Sequence, residues 1–285
     1  MKLQTIIAAG VLMLSAITVK AQDLIIRIDD LGSFHSANVA CIDSYKNGIS
    51  TSVEVMPTCS WYPEAVKMLK ENPGLDAGVH LTITSEWENV KWGPLTDCPS
   101  LVDENGYFYP MMGPNKAYPG QSVLEVKPSL QDVEKEFRAQ IELTKKHIPQ
   151  LTHISGHMGS TRFTKEVYEL TLKLAEEYGL PLIDRANDDL GLNYFGYGGP
   201  HATLEEKVDS FIKALDKLEK GKTYVFLDHP AYNDSEMQTV GHIGYEHVAV
   251  DRQGVTDLLK SQKVREAIEA KGIRLISFAD HLNKK

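Results

Sequence analysis

Cysteine is scarce: the 285-residue chain has three, Cys41, Cys59 and Cys98, and no C-x-x-C pair. That excludes a disulfide scaffold and a zinc ribbon. A basic excess is also missing, since 30 Lys and Arg face 39 Asp and Glu, a net charge of −9. Nucleic-acid binders carry a basic face, so no nucleic-acid partner is expected. No segment holds 18 apolar residues in a row, which argues against a membrane span. Internal repeats and low-complexity linkers are absent too. What remains is an ordinary globular composition, 42% hydrophobic and 24% charged, long enough to bury a core without staples. The length allows two domains of about 150 residues or one α/β barrel of about 250.

The first 21 residues read as a signal peptide. Lys2 is followed by a mostly apolar run over Thr5–Val19, and Val19-Lys20-Ala21 offers a cleavage site. An uncleaved anchor is the alternative. No Cys follows the cut, so no lipid anchor is expected there. Removing Lys2 and Lys20 shifts the net charge from −9 to −11. The expectation is an exported protein, periplasmic or secreted, with one domain over 22–285 and no membrane span after cleavage. A homodimer is left open.

Strand and helix signals alternate along that domain. Apolar, β-branched runs at 24–28, 52–56, 77–83, 151–155, 180–183, 224–227 and 274–278 predict seven strands. Stretches 129–147, 165–178, 204–218 and 255–271 predict helices, and Gly179, Gly221 and Gly272 stand where left-handed caps are wanted. Such alternation implies a parallel sheet, which about seven units can close into a barrel. Residues 85–128 break the pattern with Trp87, Trp92, Tyr107, Phe108, Tyr109 and Tyr118. These aromatics either stack on sugar rings or plug one end of the barrel.

Polar residues gather where the strands end. Asp29-Asp30 closes the first run, His80 lies in the third, His153, Ser155 and His157 share one face of the fourth, and Asp228-His229 closes the sixth. Each has an ordinary structural explanation: Asp-Asp before Gly is a turn, and a histidine on an apolar strand is a satisfied core residue. Together they put Asp and His at the carboxyl ends of four strands, where parallel α/β folds build their sites. Mixed Asp and His ligands suit a divalent metal such as zinc.

At these residues the chain resembles the YdjC-like carbohydrate deacetylases, to which chitooligosaccharide deacetylase belongs. The likeness runs through Ile28-Asp29-Asp30-Leu31-Gly32, Asn38, Gly48–Ser52, Gly78-Val79-His80-Leu81-Thr82, Pro94-Leu95, Ser100–Asp103 and Gly106–Phe108. It continues through Thr152–His157, Ile183–Arg185, His229-Pro230, Arg252 and Gly272–Phe278. Ser155 stands where the family usually has Asp, and Gly159 where it often has a further His. The resemblance implies an α/β fold, a single distorted (β/α) TIM-like barrel. It implies hydrolysis of an N-acetyl group on an amino sugar, with one divalent ion, magnesium or zinc, on Asp30, His80 and His157. Asp29 would be the general base and His229 the general acid. His153, Arg185, Trp87 and Trp92 are candidate substrate contacts, with a buried structural role the alternative for His153. Arg185 would pair with Asp29 or cap a strand end. Replacing Ser155 by Asp is expected to tighten metal binding. Two rival classes stay open: a glycoside hydrolase using Asp29 with Asp228, and an inactive sugar-binding protein. Cys59 and Cys98 are candidates to pair after export.

Overall fold

Nine residues from Asp23 to Leu31 form the central strand, β1, and a computed structural model describes the chain around it over residues 21–283. The signal-peptide expectation falls on residues outside this range, apart from Ala21. After β1 come α1 (His35–Lys46), β2 (Ser52–Val55), α2 (Tyr62–Glu71) and β3 (Asp76–Leu81). A long irregular segment holding the short α3 (Val123–Val126) leads to α4 (Leu130–His147), β4 (Leu151–Gly156) and α5 (Lys165–Tyr178). Then follow β5 (Leu192–Phe195), α6 (Leu204–Leu215), β6 (Thr223–Asp228), α7 (Val248–Leu259), α8 (Gln262–Ala270), β7 (Arg274–Leu275) and α9 (Phe278–Leu282).

The strands form one parallel sheet in the order β4-β3-β2-β1-β6-β5, with β7 pairing the start of β1. The sheet curls into a half-barrel, as the predicted distorted barrel requires. Alternation along the strands decides what lies inside. Leu24, Ile26, Ile28, Val53, Val55 and Ala77 face outward and pack under the helices. On the inner face Ile25 and Val225 join Ile183, Ile276 and Phe278 in an apolar floor. Above that floor the inner positions turn polar: Arg27, Asp29, Glu54, His80, His153 and Ser155 are all buried. Gly78 makes room for them, because a Cβ there would collide with the side chains of His153 and Glu54.

Several helix starts are capped by side chains. Ser129 accepts from the Asp132 amide, Thr164 from Val167, and Thr203 forms a capping box with Glu206. Gly179 ends α5 in the left-handed conformation, at φ 65°. Two expectations change. Residues 180–183 make one isolated bridge, Leu182 to Ile154, rather than a strand. The edge strand is instead β5, whose Leu192-Asn193-Tyr194-Phe195 follows a run of turn residues. The helix expected over 255–271 is two, broken at Lys260-Ser261, where Ser261 caps the second by accepting from the Val264 amide. No described helix is long and apolar enough to cross a membrane.

Candidate metal centre and active site

The site begins with a bulge. Pairing of β1 with β2 slips between Ile28 and Leu31, and Asp30 takes φ 72°. In a regular strand Asp29 and Asp30 would point to opposite faces. The left-handed residue turns the chain so that both carboxylates reach the same end of the barrel. Asn38 Oδ1 accepts from the Gly32 amide at 2.6 Å and the Ser33 hydroxyl donates to the Asp30 carbonyl at 2.6 Å, which holds the turn. Such backbone strain persists where surrounding bonds over-determine it, typically at functional sites.

Asp30, His80 and His157 converge there, all buried, with ligand atoms within 4.8 Å of one another. Asp30 Oδ1 lies 3.4 Å from His157 Nδ1 and 3.9 Å from His80 Nε2. That oxygen is buried and has no hydrogen-bond partner. The other, Oδ2, accepts from Arg252 at 2.7 Å. An orphaned carboxylate oxygen facing two imidazole nitrogens is a donor set that fits a divalent cation. Burial alone would raise the Asp30 carboxyl, but the Arg252 and His229 charges outweigh it and hold it well below the usual range. Burial holds His80 down to about 4 against the Asp29 charge, so it is the neutral imidazole a metal needs. His157 is lowered by burial and raised more strongly by Glu86 and Asp30, to about 10. A cation arriving there must displace that proton.

Asp29 is gripped by Arg27, two residues back on the same strand, through bonds of 2.6 and 2.8 Å. The ion pair expected from Arg185 is therefore made by Arg27, which alternation sets beside Asp29. Arg185 instead lies over the Tyr194 ring, 5.2 Å from its centre. Asp29 Oδ2 is 3.5 Å from His80 Nε2. His229, a third exposed, leans on Asp228 at 3.7 Å, and Tyr197 donates to the other oxygen of Asp228 at 2.6 Å. Burial would lower the His229 imidazole, but the Asp30 charge and Asp228 raise it above 6.5.

Two hollows meet at these residues. One, about 330 Å³, is bordered by Asp29, His80, Arg185 and Tyr194; the other, about 200 Å³, by Asp30, Glu86, Trp87 and Arg252. His157 and His229 line both. A slightly larger hollow, about 360 Å³, lies at the opposite end of the strands. Both carboxylates there are already bonded, Asp76 to Ser52 and Thr152 and Asp280 to Ser277.

For His153 the geometry favours the buried structural role over a substrate contact. It is fully buried below the site, its Nε2 at 2.8 Å from Glu54 and its ring 4.7 Å from that of Phe278. Trp92 is likewise core: its indole donates to the Thr84 carbonyl at 2.7 Å and it packs edge-on to Phe34. Trp87 is buried but borders the smaller hollow, with Arg252 5.4 Å over its ring. Segment 85–128 is thus mostly a plug, and Trp87 alone of its two tryptophans touches the site. Cys59 and Cys98 are free and buried in the apolar cluster, so the pairing does not form.

Four partners were not singled out as site residues from the sequence. Arg27 and Glu54 sit on the inner faces of β1 and β2, inside runs that read as apolar strands, where the two-residue period is the signal that could have found them. Arg252 emerged only as part of the family likeness. Glu86, 3.1 Å from His157 Nε2, lies in the irregular segment and gives no local signal.

A family model for YdjC-like proteins matches residues 23–270. A carbohydrate deacetylase of Enterococcus faecalis is 30% identical over 268 residues, covering 90% of this chain and 96% of that protein. A chitooligosaccharide deacetylase of Yersinia enterocolitica is 27% identical, covering 90% and 98%. A crystal structure from Enterococcus faecalis, of a protein provisionally described as acting in cellobiose-phosphate cleavage, superposes with a TM-score of 0.73 at 29% identity. It covers 91% of this chain and 98% of that one. With the match spanning nearly the whole described chain, this protein belongs to the YdjC-like family.

Proposed function

We propose that this protein removes an N-acetyl group from an amino sugar in a small oligosaccharide, releasing acetate and a free amine. The reading is carried by the unpartnered Asp30 Oδ1 facing His80 Nε2 and His157 Nδ1 beside a cleft that also holds Asp29 and His229. It is supported by the deacetylase relatives. Asp30, His80 and His157 would hold one divalent ion; one oxygen and two nitrogens suit zinc better than magnesium. Such an ion supplies Lewis acidity, which makes water acidic and the amide carbonyl electrophilic.

The protein's own groups supply the rest. Asp29, fixed by Arg27, accepts the proton of the attacking water. His229, with its raised pKa, donates a proton to the amide nitrogen as the C–N bond breaks, because an amine anion cannot leave unaided. Asp228 and Tyr197 hold the His229 ring toward the cleft. Arg185 and Trp87, at the edges of the two hollows, are the substrate contacts retained. A glycoside hydrolase using Asp228 is disfavoured, since both Asp228 oxygens are committed, to Tyr197 and to the His229 amide.

The test is acetate release from N-acetylated oligosaccharides, before and after chelation. Activity should vanish with the metal and return on adding zinc. Turnover that survives exhaustive chelation would exclude this mechanism. Export is part of the proposal, with the mature chain starting at Gln22. Intact mass of the protein recovered from outside the cytoplasm should show loss of residues 1–21, and a full-length mass would refute it.

A further inference from the structure

His80 can present a lone pair toward Asp30 from Nε2 only if its hydrogen sits on Nδ1, and neutral imidazole has no intrinsic reason to keep it there. The neighbour of Nδ1 is a hydroxyl, Ser155 Oγ, at 2.8 Å. A hydroxyl can donate or accept, so Ser155 alone does not choose the tautomer. Beyond it lies a carboxylate: Ser155 Oγ donates to Glu54 Oε2. Glu54 is fully buried and its other oxygen, Oε1, takes His153 Nε2 at 2.8 Å and faces Arg27 Nε at 3.4 Å. Surrounded by donors, Glu54 can only accept. The Ser155 hydrogen is therefore committed to Glu54, its oxygen must accept, and Nδ1 of His80 must be the donor.

We infer that Glu54, acting through the Ser155 hydroxyl, is the positioning residue that fixes the tautomer of His80 and aims its Nε2 at Asp30. Glu54 comes from β2, Ser155 from β4 and His80 from β3 between them, so the relay crosses three strands. Gly78, beside His80 on the inner face, leaves the space that the Glu54 and His153 side chains occupy. The chain thus holds at one remove the carboxylate that a histidine ligand normally has in direct contact. The sign of the Ser155→Asp expectation reverses as a result. An aspartate there would press a second buried carboxylate against Glu54, with no proton or cation between them.

The inference rests on the metal reading for its consequence, and the experiment separates the two. Ring nitrogen shifts of ¹⁵N-histidine, recorded on metal-free protein, report the tautomer directly. The parent should show His80 with its hydrogen on Nδ1. In Ser155→Ala, which keeps the Arg27–Glu54–His153 cluster whole, and in Glu54→Gln, whose amide can donate and turn the hydroxyl round, a large Nε2–H population should appear. Zinc affinity, titrated into the same proteins, should fall by about 10–100-fold in each. Ser155→Asp should also weaken zinc, and Glu54→Gln added to it should restore affinity. His80 keeping its hydrogen on Nδ1 in both single variants would overturn the inference, as would a Ser155→Asp protein that binds zinc more tightly than the parent with Glu54 in place. Ser155→Ala carries the test if Glu54→Gln does not fold. A protein that shows the expected tautomer shift on mutation but binds no zinc in its parent form would refute the metal reading and leave the relay standing.

Discussion

Asp29 and Asp30 are neighbours with different surroundings, and the difference supports the separate roles proposed for them. Both oxygens of Asp29 are held by Arg27, which leaves it a fixed acceptor. Asp30 has one oxygen on Arg252 and one with no partner. Asp29→Asn should therefore keep zinc near one per chain while kcat drops by about 10²–10⁴-fold, the usual contribution of a general base. Melting temperature must be followed beside it, because the change also leaves Arg27 with one carboxylate fewer. Parent-level turnover by a folded, zinc-loaded Asp29→Asn protein would remove Asp29 from the mechanism. The two aspartates, His80, His157 and His229 were all legible as strand-end residues. Their division of labour came only from the family likeness and from no local pattern, because it depends on which arginine reaches which oxygen, and Arg252 arrives from 222 residues away.

Between elements, burial and charge act together at the seam of α1 and α7. Asp43 on α1 accepts from Lys260, just beyond α7, and from Tyr232 in the preceding loop. Burial would raise its carboxyl, but the Lys260, Tyr232 and Asn47 hydrogen bonds bring it down from 3.8 to about 2. A carboxyl lowered on folding stabilises the fold fully above its unfolded value, and the benefit disappears as pH falls through the folded one. Asp43→Asn should thus cost stability at neutral pH, with the gap to the parent closing between about pH 4 and pH 2. Urea midpoints of both proteins across that range measure it. A gap that does not change with pH would mean that the clamp is not electrostatic. The starts of α4, α5 and α6 fall within one residue of the expected ones, where Ser129, Thr164 and Thr203 act locally as caps. The break between α7 and α8 was missed although the apolar phase shifts there: Val255, Leu258 and Leu259 would share one face of a continuous helix and Val264 and Ile268 the opposite one.

The whole molecule places an apolar floor under a charged interior, and that interior opens into the cleft. Ile25, Val225, Ile276 and Phe278 seal one end of the half-barrel. Arg27, Glu54 and His153 fill the middle with compensating charge, and Asp29, His80 and Ser155 stand above them. Burying so many ionisable groups is costly unless each finds a partner, and here nearly every one does. Among the described residues the exceptions are Asp30 Oδ1, two nitrogens of Arg252 beside it and the Tyr194 hydroxyl at the cleft wall. A fold that satisfies its other buried carboxylates and leaves one oxygen bare beside a cleft has the arrangement that the proposed cation would complete.

The sequence by itself determined the class of fold and most of its strands and helices, because hydrophobic period and capping residues act over a few positions. It also determined the family, and with it the residues that meet at the strand ends. The tertiary structure decided what depends on distant partners. It chose β5 over 180–183 as the edge strand, made Arg27 rather than Arg185 the partner of Asp29, and buried His153 and Trp92 away from the cleft. It turned Asp30 onto the same side as Asp29, against the two-residue period of a strand. It also brought Glu54 to Ser155 across 101 residues, a pairing that no local pattern encodes, because only the curl of the sheet brings β2 and β4 side chains together over a glycine.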